Sequence, residues 1–147
     1  MIYKYKFDKI LTIREKEKED ALARYHGALK EFEEAAEKLY KLLKKKEDLQ
    51  KFQEEKLNKG LSVQEIRHNQ SFMDNLEKII EHSQLQVLQA RERMIRQQES
   101  LMQKNMEVKK YEKMKETDFI KFLDILKADE NKNMDEISIR QFMNKDY

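Results

Sequence analysis

The side chains best suited to acid–base chemistry or metal binding in this chain are three histidines, His26, His68 and His82. His68 and His82 lie on one predicted helix and are separated by roughly 21 Å along its axis, so they cannot share a metal ion. The chain has no cysteine, which excludes disulfides and thiolate metal sites. It also lacks the HExxH motif, a glycine-rich phosphate loop and a nucleophile elbow. We therefore expect no catalytic site, no metal site and no cofactor, and we interpret the histidines as solvated helix residues.

The composition is typical of long helices rather than of a compact globular domain. Charged residues make up 41% of the 147 residues and apolar residues 39%, with two glycines and no proline. The 31 basic and 29 acidic residues are interspersed, a pattern that favours a coiled coil over a disordered chain. The one basic run, at residues 44–46, is followed at once by Glu47 and Asp48, so no nucleic-acid partner is expected. Without a signal peptide or a membrane-spanning run, a cytoplasmic location is expected.

Two heptad registers predict the helices that carry these residues. Ten of fourteen positions are apolar in the first register, from Phe7 to Gln53, and twelve of eighteen in the second, from Ile66 to Ile125. The predicted fold is all-α, a single long antiparallel two-helix coiled-coil hairpin over residues 1–147. Its first helix covers about residues 5–57, its turn about 58–62 and its second helix about 63–127. For the tail, residues 128–147, two alternatives stay open: a short last helix, favoured in a complex, or a frayed segment.

The stretch LNKGLSVQE predicts the turn of the hairpin. Gly60 suits the left-handed conformation that ends many helices, because it has no Cβ to clash. Ser62 and Glu65 form the S-x-x-E pattern of a capping box at the start of the next helix. Gly27 has no turn residues around it and is interpreted as a small residue that the first helix tolerates.

The interface between the helices is expected to vary along its length. In an antiparallel pairing about this turn, residue i faces a residue near 120 − i, which brings Arg14 and Lys18 close to Lys104. Three cations beside the interface are expected to repel one another and to loosen the end far from the turn. Nearer the turn, Phe72 and Ile79 lie beside the interface positions. Their pattern is explained equally well by a broad core-facing stripe and by a partner-binding surface.

An ordered set of motifs resembles the FliJ family of bacterial flagellar protein export over nearly the whole chain. The motifs are YKFDKILTIREKEKEDA at the N-terminus, GLSVQEI at the turn, NQSFMDNLEKII after it, and NMDEISI near the C-terminus. The resemblance implies a monomeric antiparallel coiled coil, similar to the central stalk of rotary ATPases. It also implies a non-enzymatic role in the flagellar type III export apparatus, at the inner face of the cell membrane beneath the flagellar basal body.

The same resemblance implies partners and surfaces. The partners are the hexameric export ATPase FliI, the membrane export gate protein FlhA and the export chaperones. The residues that match the gate-binding surface of the family are Leu42, Phe72, Leu76 and Ile79. We ourselves assign the far end of the hairpin, with Arg14, Lys18 and Lys104, to the ATPase ring, because these cations are expected to loosen the interface there.

Two functions of other classes remain open from the residues alone. A prefoldin-like holding chaperone would grip clients with its hairpin tips and would carry β-strands between its helices, and no strand pattern is visible near residues 57–63. A structural coiled-coil scaffold would form a dimer, against which the break at Gly60 and Ser62 argues.

Overall fold

The structure is a computed structural model that describes residues 2–145. It consists of two helices, α1 (Asp8–Lys59) and α2 (Val63–Lys145), joined by three residues. The helices pack against each other, and the described residues contain no strand. The all-α hairpin predicted from the heptad registers is confirmed.

The first helix begins later than the sequence predicts. We predicted a start near residue 5, whereas α1 starts at Asp8, whose backbone N–H donates to the carbonyl of Tyr5 at 3.2 Å. The carbonyl of Phe7 accepts the next bond, from the N–H of Leu11 at 2.9 Å. Asp8 places a negative charge in the first turn, where the helix dipole stabilises it. Residues 2–7 therefore form a non-helical segment before α1.

The second helix continues well past its predicted end near residue 127. α2 runs without interruption to Lys145, so the prediction of a separate tail is wrong for residues 128–145. Residues 146 and 147 of that tail lie outside the described residues. The physical reason is that residues 128–145 contain neither glycine nor proline and consist mainly of residues that helices accept. Every side chain from residue 127 to residue 144 is exposed, so this part of α2 has no helix partner in the described chain.

Contacts divide the molecule into two units, and both helices run through both of them. One unit is Asp20–Met102, which contains the turn. Its interface buries two alanines of α1 and five residues of mixed size of α2, all at positions of the predicted registers. The buried residues are Ala21, Ala28, Met73, Leu76, Ile80, Ser83 and Ala90. Within this unit residue i of α1 lies near the level of residues 122 − i to 124 − i of α2, slightly beyond the predicted 120 − i. The Gln53–Asn69 hydrogen bond at 3.4 Å and the Glu31–Arg93 ion pair at 3.3 Å show this.

The other unit contains both chain ends, Met1–Glu19 and Gln103–Tyr147. Its buried residues are Tyr5, Leu11 and Val108, and Val108 is only 2% exposed. The start of α1 is tied to α2 by an ion pair between Asp8 and Lys115 at 3.1 Å. The interface of this unit therefore includes a residue of the N-terminal segment, Tyr5, as well as residues of the two helices.

Candidate partner-binding surfaces

The turn has the geometry that its sequence predicts. Gly60 has a φ of 90°, and its N–H donates to the carbonyl of Leu57 at 3.3 Å. The hydroxyl of Ser62 accepts a bond from the N–H of Glu65 at 3.2 Å, which is the first half of the capping box. At this turn no bond returns from the Glu65 carboxylate to the N–H of Ser62. Gly60 and Ser62 therefore stabilise the turn, whereas the Glu65 side chain does not contribute to it.

The surface around Phe72 combines exposed apolar side chains with a lysine. Phe72 is 44% exposed and Ile79 is 50% exposed, whereas Ile80 beside them is buried at the interface. The ammonium of Lys45 on α1 lies 5.7 Å from the centre of the Phe72 ring, within the range of a cation–π interaction. Phe72 and Ile79 thus offer about half of their apolar area to solvent, while Ile80 packs in the interface between the two helices.

The other two residues that the resemblance assigned to this surface are less accessible. Leu76 is only 4% exposed, because it lies in the interface with α1. Leu42 of α1 is partly buried. The structure therefore brings Phe72 and Ile79 to the surface and leaves Leu76 with a packing role. A partner that docks here meets Phe72 and Ile79 directly and Leu76 only through them.

The three cations predicted beside the interface are accompanied by two glutamates. Arg14 donates to both carboxylate oxygens of Glu17, at 3.0 and 3.1 Å, and its Nε lies 3.8 Å from Glu107. Lys104 of α2 reaches the same Glu17 at 3.4 Å. Lys18 is partly buried and forms no ion pair with any described residue. Arg14 and Lys104 therefore meet at a shared carboxylate.

This arrangement corrects the expectation that Arg14, Lys18 and Lys104 form an unbalanced positive cluster. The hydrogen bond from Arg14 holds the pKa of Glu17 below its ordinary value, and the charges of Arg14 and Lys104 act in the same direction. The hydrogen bond to Glu17 likewise raises the pKa of Arg14. Glu17 occupies no heptad interface position, so the registers alone did not reveal that it lies between the cations. The attraction through Glu17 replaces the repulsion that we expected.

Comparison with known proteins gives the family of the chain. A family model described as "Flagellar FliJ protein" matches residues 3–146. A "Flagellar FliJ protein" of Bacillus subtilis (strain 168) is 48% identical over 143 residues, which cover 97% of each chain. The chain belongs to the FliJ family. No solved structure matches it.

The N-terminal segment of this FliJ-family chain contacts α2 through side chains that the heptad registers do not predict. The hydroxyl of Tyr3 donates to the carbonyl of Lys115 at 3.3 Å and to the carboxylate of Asp118 at 3.2 Å. The hydroxyl of Tyr5 donates to the carbonyl of Tyr111 at 3.1 Å. The Tyr3 ring also packs against Phe119 and Phe122, with centroid separations of 5.1 and 5.2 Å. The aromatic residues at alternate positions 3, 5 and 7 were the signal that this segment packs against another part of the chain.

His26, His68 and His82 are all exposed, as the sequence analysis predicted. No group of three or more metal-ligating side chains occurs among residues 2–145. No helix there is both long and apolar enough to cross a membrane. What the geometry does provide is an exposed apolar surface at Phe72 and Ile79 and a charged surface at Arg14, Glu17 and Lys104.

Proposed function

We propose that this FliJ-family chain is a non-enzymatic coupling protein of the bacterial flagellar export apparatus. It binds the ring of the export ATPase FliI as a stalk and links it to the export gate protein FlhA. It also assists export chaperones, and it works in the cytoplasm against the inner face of the membrane at the flagellar basal body. The observation that carries the proposal is membership of a flagellar family across nearly the whole chain. That membership argues against an unrelated holding chaperone or scaffold.

The gate is assigned to the surface formed by Phe72 and Ile79. These side chains are exposed although their neighbours Leu76 and Ile80 are buried, so a partner covers apolar area here without unpacking the hairpin. Lys45 adds one positive charge beside the Phe72 ring. We expect the gate protein to bring an apolar pocket to Phe72 and Ile79, with an acidic residue near Lys45.

The ATPase ring is assigned to the unit that contains both chain ends, through Arg14, Lys18 and Lys104. Lys18 has no carboxylate partner in the described chain, and the shared contact at Glu17 is only partly buried. An acidic loop of a ring subunit can therefore compete with Glu17 for these cations. Arg14 and Lys18 of α1 and Lys104 of α2 then bind this acidic loop of the ring.

The decisive experiment is the hydrolysis rate of a purified export ATPase with and without the chain. We expect stimulation by the wild type and altered stimulation by Arg14→Leu combined with Lys18→Leu, while binding to the isolated gate domain is unchanged. A rate that does not respond to the wild-type chain at saturating concentration contradicts the stalk assignment. Gate binding that is lost in this double variant contradicts the separation of the two surfaces.

The free chain is proposed to be a monomer, because each helix finds its partner within the same chain. Light scattering should then give a mass near 18.0 kDa. A mass of about twice that value at micromolar concentration contradicts the proposal.

A further inference from the structure

The unit Asp20–Met102 carries a second apolar surface that the proposed function does not use. On α1 it contains residues that repeat every seven positions, and on α2 it contains a matching repeat. The residues are Leu22, Leu29 and Ala36 on α1 and Leu88, Ile95 and Met102 on α2. Together they are called the Leu22–Met102 face.

The Leu22–Met102 face lies on the side of the interface opposite the Glu31–Arg93 ion pair. Leu22 comes nine residues before Glu31, and Met102 comes nine residues after Arg93. Nine residues make about two and a half helical turns, so each side chain points away from that ion pair. Steps of seven residues, about two turns, keep the other four side chains on the same side.

The residues of this face are in register across the two helices. Because residue i of α1 lies near the level of residues 122 − i to 124 − i of α2, Leu22 lies within about half a turn of the level of Met102. For the same reason Leu29 lies near the level of Ile95, and Ala36 lies near the level of Leu88. The surface is also accessible: Leu88 is 57% exposed, Met102 60% and Ile95 36%. Three apolar pairs at two-turn spacing match the repeat of one further helix.

The face is poor in charge, in a chain in which 41% of the residues are charged. Its two charged side chains, Glu33 and Arg91, are level with each other between the Leu29 and Ala36 pairs. Both are exposed, and neither forms an ion pair within 4.0 Å in the described part of the chain. Protein interfaces typically have few charged residues at their centre. A single charged pair within an apolar repeat can fix the register and the direction of a bound helix.

We propose that the Leu22–Met102 face binds one amphipathic helix of a partner protein. The apolar residues of that helix repeat every seven positions, with a basic residue toward Glu33 and an acidic residue toward Arg91. If the bound helix ran in the opposite direction, its basic residue would face Arg91 and its acidic residue would face Glu33. Glu33 and Arg91 therefore select one direction of the bound helix. The proposal is independent of the export role.

A second copy of the chain is the less suitable occupant. Stable pairs of protein surfaces use about 20–30 residues on each side. Six apolar side chains and one charged pair fall short of this, but they suffice for a helix in a groove, which needs only a few anchors at i and i+7 spacing. A separate helix also satisfies both unpaired charges of the face.

The test uses a fluorescent synthetic helix of about 20 residues with leucines at seven-residue spacing, one lysine and one glutamate placed to meet Glu33 and Arg91. Anisotropy should show binding to the wild-type chain. Glu33→Lys combined with Arg91→Glu should weaken binding about tenfold, and a peptide with its two charges exchanged should restore it. Leu29→Asp should abolish binding, whereas the matched control Phe72→Ala on the other side should leave it unchanged.

Three results would overturn the proposal. The first is no binding of the peptide to the wild-type chain, and the second is binding that ignores the charge exchange. The third is a wild-type mass of two chains that Leu29→Asp reduces to one, which would make a second copy the occupant. Circular dichroism should show the wild-type melting temperature for the Glu33 and Arg91 variant, because neither residue has an ion-pair partner among the described residues. It must also show that Leu29→Asp and Phe72→Ala, which change partly buried side chains, are folded at the temperature of the anisotropy measurement. Loss of ATPase stimulation with intact peptide binding would affect only the export proposal.

Discussion

Truncating both exposed side chains of the proposed gate surface tests whether Phe72 and Ile79 bind the gate. Complete burial of a Phe or Ile side chain is worth about 1.5–3 kcal/mol. A partner that covers the exposed 44% of Phe72 and 50% of Ile79 therefore gains about 1.4–3 kcal/mol in all. Phe72→Ala combined with Ile79→Ala should raise the Kd for the gate domain by about 10- to 100-fold. Titration calorimetry with the purified gate domain measures this change.

The same double variant also lowers the stability of the free chain, because about half of each side chain is buried. Circular dichroism must therefore show that it is folded at the temperature of the titration. The matched control is Leu88→Ala combined with Ile95→Ala, since these residues have the same seven-residue spacing and Leu88 lies about two and a half turns from Ile79. An affinity within twofold of the wild type in the folded Phe72 and Ile79 variant would refute the assignment, as would an equal loss in the control.

Further predictions concern the turn, one buried hydroxyl and one carboxylate. Gly60→Val should lower the free energy of unfolding by about 1–2 kcal/mol through its positive φ alone, since no atom lies within 4 Å of the added Cβ. Gly27→Ala, equally free of contacts but helical, should raise it by about 0.5–1 kcal/mol, and thermal melts compare the two. Ser62→Ala should cost about 1 kcal/mol in the same melts. Ser83→Ala should stabilise by roughly 1 kcal/mol, because the Ser83 hydroxyl is buried without a hydrogen-bond partner, and an unchanged or lower midpoint in urea would contradict this. The hydrogen bond from Arg14 lowers the pKa of Glu17, so the ionised Glu17 carboxylate stabilises the fold above its ordinary pKa of 4.5. This stabilisation is lost as the pH falls below that value. Glu17→Gln should therefore flatten the pH dependence of the melting temperature in this acidic range.

Heptad periodicity was enough to predict the packing of the helices. Every position of the first register is buried or partly buried, and in the second only Ile66, Asp118 and Ile125 are exposed. Ile66 lies next to the turn. Asp118 lies where Tyr3 of the N-terminal segment contacts α2. Ile125 lies three residues beyond Phe122, which Tyr3 also contacts. Register positions of α2 are exposed where α1 no longer packs against them. Periodicity within one helix cannot reveal where its partner helix ends.

The remaining features depend on contacts between segments distant in sequence. The segment before Asp8 is fixed by Tyr3 and Tyr5, whose hydroxyls find carbonyl oxygens more than a hundred residues away. The pairing of Glu17 with Lys104 likewise depends on which side of the interface each long side chain takes. Neither choice is encoded in hydrophobic spacing. The exposure of Phe72 and Ile79, by contrast, followed from their positions beside the register.

The three-residue connection after Lys59 also determines the order in which the chain folds. A contact beside Gly60 closes a loop of a few residues, whereas the bond between Lys115 and Asp8 closes one of 107 residues. Loop-closure entropy grows with length, so helix pairing starts most easily at the turn and spreads toward the chain ends. The chain contains no proline, and so no slow isomerisation interrupts this spread. Substitutions near the turn should therefore change the folding rate, while those at Arg14 or Glu107 should act mainly on the unfolding rate.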